Sequence, residues 1–278
     1  MSADPRLTLA RPDLAAQALD GLAPAGAYAE TAPMAAVVAA APLRKAGRPG
    51  AEQVDQVLFG ELFDVLEVKD GFAWGQARRD GYVGFVEAAH LAPAGSAPTH
   101  RVAAIRTYAF AEPSIKAQAL GPYSLNALVA VEAREGRFAK AEGSGWFVEA
   151  HLAPVGADFE TDAAAVAERH LGAPYLWGGR ESLGLDCSGL VQQALLACGR
   201  ACPRDTDMQE AAFAAITRPA LRRGDLVFWR GHVAMMVDEA RIIHANAHHM
   251  AVAVEPLEAT IARVADAAGG EPTSFRRP

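Results

Sequence analysis

The chain has 278 residues, of which 51% are hydrophobic and 21% charged, enough apolar material for two or three packed domains and outside the disordered and collagen-like classes. Its net charge of -7, from 33 acidic and 26 basic side chains, gives no broad attraction to phosphate backbones and disfavours a nucleic-acid partner. The stretch from Met1 lacks the basic start and long apolar run of a secretory signal, and no segment approaches the roughly 20 apolar residues of a membrane span. A cytoplasmic protein without a membrane partner is therefore expected, with its oligomeric state left open. The three cysteines, Cys187, Cys198 and Cys202, cannot all pair. No second Cys or His pair follows Cys198 and Cys202 at zinc-ligand spacing, so these two read as small buried apolar residues.

In chain order, residues 1–32 form an extension whose pattern matches no element and which is a candidate to pack on the last domain. Short β-rich runs follow at Val54–Phe63, Val65–Val68 and Phe72–Gly75, then at Val102–Phe110, Leu125–Val131 and Phe138–Ala141, with glycines at 60, 71, 81, 121, 136 and 143 between them. The phrase Phe85-Val86-Glu87-Ala88-Ala89-His90-Leu91-Ala92-Pro93 returns, one residue shorter, as Phe147-Val148-Glu149-Ala150-His151-Leu152-Ala153-Pro154. One unit is thus present twice, each copy a small all-β barrel. The stretches at 92–98 and 154–157 read as linkers. The phrases Val57-Leu58-Phe59-Gly60-Glu61 and Asp80-Gly81-Tyr82-Val83-Gly84-Phe85-Val86 resemble bacterial SH3-like domains. The expected domains are an extension at 1–32, SH3-like domains at 33–94 and 99–155, and a last domain at 158–278.

From Phe159 the texture turns helical. Ala163–Leu171 reads as a helix capped by Thr161, and Ser188–Cys198 as a second one, with Leu190, Val191, Ala194 and Leu195 on one period and Gly199 as its stop. Strands follow at Asp225–Arg230, His232–Val237 and Arg241–Ala245, an α+β arrangement.

Cys187 opens the second helix after a loop containing Gly178, Gly179 and Gly184, where free backbone N–H groups and the helix dipole can stabilise a thiolate or a developing oxyanion. A thiolate nucleophile needs a base. His232, which opens a strand after Gly231, is the best of the eight histidines. If the hairpin pairs His244 with Ala234, His244 lies diagonal to His232 and within reach of its imidazole; a register shifted by one residue breaks the arrangement. His90 and His151 read as structural, and His248 and His249 as solvated loop residues. A zinc site from His232, His244 and His248 lacks an acidic or cysteine partner at ligand spacing, so neither a metal nor a cofactor is expected.

Residues 158 to about 270 resemble the NlpC family of papain-like bacterial cell-wall peptidases. The resemblance rests on successive motifs: Gly172-Ala173-Pro174-Tyr175-Leu176-Trp177-Gly178-Gly179, Asp186-Cys187-Ser188-Gly189-Leu190-Val191, Arg223-Gly224-Asp225-Leu226-Val227-Phe228-Trp229, His232-Val233-Ala234 and Ile243-His244-Ala245. Pro203-Arg204-Asp205-Thr206-Asp207-Met208-Gln209 is similar as well. The resemblance implies Cys187 as nucleophile, His232 as base and His244 as the group orienting it. It also implies hydrolysis of the D-γ-glutamyl-diamino acid bond in peptidoglycan stem peptides. Two SH3-like domains ahead of the peptidase look like the cytosolic recycling branch, which takes free L-Ala-D-γ-Glu-diaminopimelate peptides. There Tyr82, Asp186 and Ser188 would hold the free amine, although Tyr82 reads equally well as a barrel-core tyrosine. Other readings are a wall-remodelling endopeptidase acting on intact peptidoglycan, an inactive wall-fragment-binding protein, and an acyltransferase on the same fold, which no apolar membrane-facing stretch supports.

Overall fold

Apolar side chains alternate along Leu62–Lys69, burying Phe63 and Val65, and this strand pairs antiparallel with Phe72–Ala77. The computed structural model describes residues 4–267 and 269–278 and divides the chain into two compact units, Met1–Val155 and Gly156–Pro278.

In the first unit a seven-stranded sheet runs in the order Gln53–Leu58, Ala40–Arg44, Val83–Glu87, Phe72–Ala77, Leu62–Lys69, Ala32–Ala36, Leu91–Pro93. The second copy of the repeat divides between two sheets. One has five strands, Ala119–Ser124, Arg106–Phe110, Gly145–Val148, Phe138–Ala141 and Val131–Glu135; the other has three, Leu128–Val129, His100–Val102 and Leu152–Pro154. Each order has two free edges, so the sheets are open in their hydrogen bonding where closed barrels are expected. Both copies of the repeated phrase form the same local structure: a strand, a single 3-10 turn ending at His90 or His151, and a short returning strand.

Residues 4–30 sit on the first sheet of their own unit. The Arg6 carbonyl accepts from Val83 N–H at 2.7 Å, and the Leu7 carbonyl accepts from Gln76 Nε2 at 2.9 Å. Leu9 and Ala16 pack with Trp74, while the Arg11 guanidinium lies 4.0 Å from the Trp74 ring centroid and pairs with Glu67 at 2.7 Å. The two copies of the repeat also interlock. Phe59, from the first, is part of the buried cluster of the second, its ring 4.9 Å from that of Tyr123. Leu128 N–H donates to the Phe59 carbonyl at 2.8 Å. Gly60 permits this approach: its φ is +74°, and a Cβ there would lie 2.1 Å from the Leu128 carbonyl oxygen.

In the second unit a six-stranded antiparallel sheet has the order Ala214–Ile216, Ser274–Arg277, Leu226–Trp229, His232–Met236, Arg241–Asn246, Ala251–Pro256. Helices Ala163–Glu168 and Cys187–Ala197 pack on each other and on this sheet. The first helix is capped by Asp162, whose Oδ1 accepts from Ala165 N–H at 3.1 Å, and not by the expected Thr161; it ends at Glu168, short of Leu171. Leu257–Asp266 forms a further helix that buries Leu257 and Ile261 with Val227, Trp229 and Ile242. Among the described residues, no helix is long and apolar enough to cross a membrane.

Candidate active site

Cys187 is the first residue of the Cys187–Ala197 helix and is buried. Asp186 caps the helix, with Oδ1 accepting from Gly189 N–H at 2.7 Å and Oδ2 from Gly178 N–H at 2.9 Å, so one carboxylate ties the glycine loop to the helix start. Gly189 is what lets the loop come so close: a Cβ there would lie 2.2 Å from the Gly179 carbonyl oxygen. The same carboxylate takes two hydrogen bonds from the buried Arg204, at 3.0 and 2.6 Å, and Arg204 also donates to Ser188 Oγ at 2.9 Å. Gln209 Nε2 closes this group by donating to the carbonyls of Ser188, at 3.0 Å, and Pro203, at 2.8 Å. Asp186 and Ser188 are thus bound into the support of the helix terminus.

The backbone N–H groups of Val233 and Ser188 lie near enough to the Cys187 thiol to lower its pKa, which sets it beside the strand that begins with His232. The hairpin pairs Met235 with Ile243 and Met236 with Ile242; continued, that register puts His244 opposite Ala234, the expected alignment. His232 Nε2 and His244 Nδ1 are 2.8 Å apart. The other nitrogen of His244, Nε2, lies 2.7 Å from Glu255 Oε2, and Arg263 holds the same carboxylate oxygen. With both ring nitrogens engaged by His232 and Glu255, His244 has no free lone pair for a metal. His248 and His249 stand apart from this chain, their rings edge to face at 4.8 Å, although His249 Nε2 comes within 3.8 Å of Glu255. Tyr82 lies in the first unit and is buried, its backbone N–H donating to Asp80 Oδ1 at 3.1 Å.

Three relevant residues escape sequence reasoning. Glu255 and Arg263 lie on a strand and a helix outside the family motifs, and Arg204 lies in the Pro203–Gln209 motif, where nothing local marks it as a partner of Asp186. Glu255 pairs across the strands with Ile242, which puts it diagonal to His244 on one face, and alternation along Ala251–Pro256 could have pointed to it.

The electrostatics differ in sign from the sequence expectation. Burial, with Asp186 beside it, pushes the Cys187 thiol up to about 12, outweighing the backbone N–H groups and Arg204. Burial, reinforced by His244 and Arg263, lowers His232 to about 3, against a smaller opposing effect of Glu255. Burial and the neighbouring Cys187 and Asp186 also raise the Tyr175 phenol. Both shifts favour a thiol at Cys187 and a neutral imidazole at His232 over thiolate with imidazolium. Alkylation of Cys187 by iodoacetamide in the free protein is therefore expected to accelerate continuously from about pH 6 to about pH 10. A plateau across neutral pH that disappears in His232→Ala would show a preformed ion pair and contradict this electrostatic picture.

A buried cysteine at a helix start, set against an antiparallel sheet that carries linked histidines, is a papain-like arrangement. In agreement, residues 172–265 match the NlpC/P60 family, and residues 43–91 match the bacterial dipeptidyl-peptidase Sh3 domain. The chain carries an NlpC/P60 domain preceded by a bacterial SH3 domain.

Dipeptidyl-peptidase 6 of Lysinibacillus sphaericus is 36% identical over 89 residues, which cover 32% of this chain and 33% of that protein. A γ-D-glutamyl-L-lysine dipeptidyl-peptidase of Bacillus cereus is 32% identical over 104 residues, covering 34% of this chain and 31% of the relative. The matched region spans about a third of the length of these curated relatives. The crystal structure of an NlpC/P60 family protein from Bacillus cereus superposes with a TM-score of 0.74 at 20% identity, covering 88% of this chain and 99% of that one, a likeness of fold.

Proposed function

We propose that the protein is a cysteine endopeptidase that hydrolyses the D-γ-glutamyl-diamino acid amide bond of free peptidoglycan stem peptides with an unblocked N-terminal L-Ala. The observation that carries this reading is the buried Cys187 beside a strand whose His232 is linked through His244 to Glu255. The choice of bond draws on the relative named γ-D-glutamyl-L-lysine dipeptidyl-peptidase.

In this reading the chemistry begins from the neutral pair. As the sulfur attacks the scissile carbonyl carbon, its proton passes to His232, and the amide oxygen gains negative charge opposite the N–H groups at the helix start. His232 then returns the proton to the leaving amine, and water, activated by the same imidazole, hydrolyses the thioester. Both copies of the repeat are SH3-like barrels in the proposal, at 33–94 and 99–155, and the peptidase spans 158–278. A role in recycling carries a cytoplasmic location with it.

Asp186 and Ser188 are proposed to hold the substrate's ammonium; Tyr82 is the residue that the family resemblance would add. Because Arg204 offsets the charge of Asp186, the anchor is weaker than an unshared carboxylate, for which loss of one partner costs about 2 to 5 kcal/mol. N-acetylating L-Ala-D-γ-Glu-diaminopimelate is accordingly expected to lower kcat/KM about tenfold or somewhat more. Intact sacculi, whose stem peptides are blocked by the sugar lactyl group, should be poor substrates for the same reason. The test compares rates on the free and acetylated tripeptides. Equal rates, or ready digestion of sacculi, would replace recycling with wall remodelling, and no cleavage of any wall peptide by folded protein would leave a wall-fragment-binding protein.

A further inference from the structure

Glu255 touches neither the thiol nor His232, yet it ends the hydrogen-bonded chain that starts there. Its Oε2 lies 2.7 Å from His244 Nε2 and 3.4 Å from Thr260 Oγ1, and Arg263 donates to the same oxygen; His249 approaches Oε1 at 3.8 Å. An ionised carboxylate only accepts, so the proton of the 2.7 Å contact belongs to His244 Nε2. A neutral imidazole carries one proton, and burial lowers the pKa of His244, which favours that neutral form. His244 Nδ1 is then an acceptor. The 2.8 Å contact to His232 Nε2 has to be supplied by the His232 N–H, leaving His232 Nδ1 as the ring nitrogen with a free lone pair for the Cys187 proton.

We propose that Glu255, held by Arg263, is a positioning residue that fixes the protons of His244 and His232 so that His232 presents an unprotonated Nδ1 to Cys187. The inference rests on the reading of Cys187 and His232 as the reacting pair. No proton reaches Glu255 in the cycle. The thiol proton moves to His232 Nδ1, His232 Nε2–H stays on His244 Nδ1, and His244 Nε2–H stays on the carboxylate. Without that carboxylate His244 is free to carry its proton on Nδ1 and donate it to His232 Nε2, which forces a neutral His232 to carry its own proton on the nitrogen needed as base. The effect belongs to the protonation pattern and leaves the substrate contacts alone.

The test combines kinetics with a spectroscopic readout that does not depend on substrate. In Glu255→Gln, assayed well below its unfolding temperature, kcat on L-Ala-D-γ-Glu-diaminopimelate is expected to fall at least tenfold with KM within about twofold of wild type. Glu255→Ala should lose more, because Gln keeps one acceptor. Imidazole 15N spectra of the wild-type protein at neutral pH should show His244 and His232 each protonated on Nε2 alone. A folded Glu255→Gln with unchanged kcat, or a wild-type spectrum with His244 protonated on Nδ1, would overturn the proposal. If wild type leaves the tripeptide intact, the substrate assignment fails, and the 15N spectrum still decides the role of Glu255. The same spectrum decides it should the variants not fold.

Discussion

Replacement of Cys187 by alanine is expected to reduce peptide hydrolysis to background while the protein remains folded. The residue opens a helix, the backbone N–H groups of Val233 and Ser188 act to lower the pKa of its thiol, and neither Cys198 nor Cys202 shares that setting. Cys198 caps the opposite, carbonyl-bearing end of the same helix, and Cys202 is buried in the following loop with its sulfur 3.5 Å from the Pro203 carbonyl. At a helix C-terminus the dipole opposes a thiolate. Cys198→Ala and Cys202→Ala should therefore keep most of the activity. Removing one small buried sulfur costs about 1 kcal/mol, so thermal unfolding of Cys187→Ala should stay within a few degrees of wild type. The comparison is a set of turnover rates for the three variants beside their melting curves; a loss at Cys198 comparable to that at Cys187 would remove the assignment of the nucleophile.

The second large effect belongs to the histidines. His232→Ala should cost about a thousandfold in kcat, since His232 is the base in the proposed mechanism, whereas His244→Asn should retain a measurable part of the rate. The carboxamide oxygen of Asn can accept the His232 Nε2–H that His244 Nδ1 accepts in the native protein. The contact to Glu255 would be lost at the same time, so recovery is partial. Single-turnover rates on the tripeptide for the two folded variants separate base from orienting group. If His244→Asn is as inactive as His232→Ala, the division of roles is wrong.

The strands that the chain announced most clearly are those in which β-branched or aromatic residues alternate with turns. Phe138–Ala141 lies where it is expected, and Leu226–Trp229, His232–Met236 and Arg241–Asn246 shift by at most a residue or so from their expected bounds. Ala32–Ala36 and Ala40–Arg44 were invisible because alanine and proline have low strand propensity, and only pairing with Leu62–Lys69 and Gln53–Leu58 makes them strands. At the site, the hairpin register that joins His232 to His244 was legible, because side chains on paired strands meet in only a few alignments. The rest of the chain was not. Glu255 reaches His244 from a neighbouring strand, and Arg263 reaches Glu255 from the helix beyond, contacts between segments whose alignment no local pattern fixes. The direction of the thiol shift was missed for a related reason: a helix N-terminus can be recognised in a sequence, but the burial that outweighs it cannot.

The interlocking of Phe59 and Gly60 with Tyr123 and Leu128 bears on how this protein can be taken apart. A cut at the linker near 92–98 looks natural from the sequence, yet it would leave an aromatic ring on one fragment and its socket on the other. The two copies of the repeat share one buried cluster within one compact unit and are therefore expected to unfold together. Exchanging either copy for its counterpart from a relative should succeed only when the ring and the residues that receive it travel together.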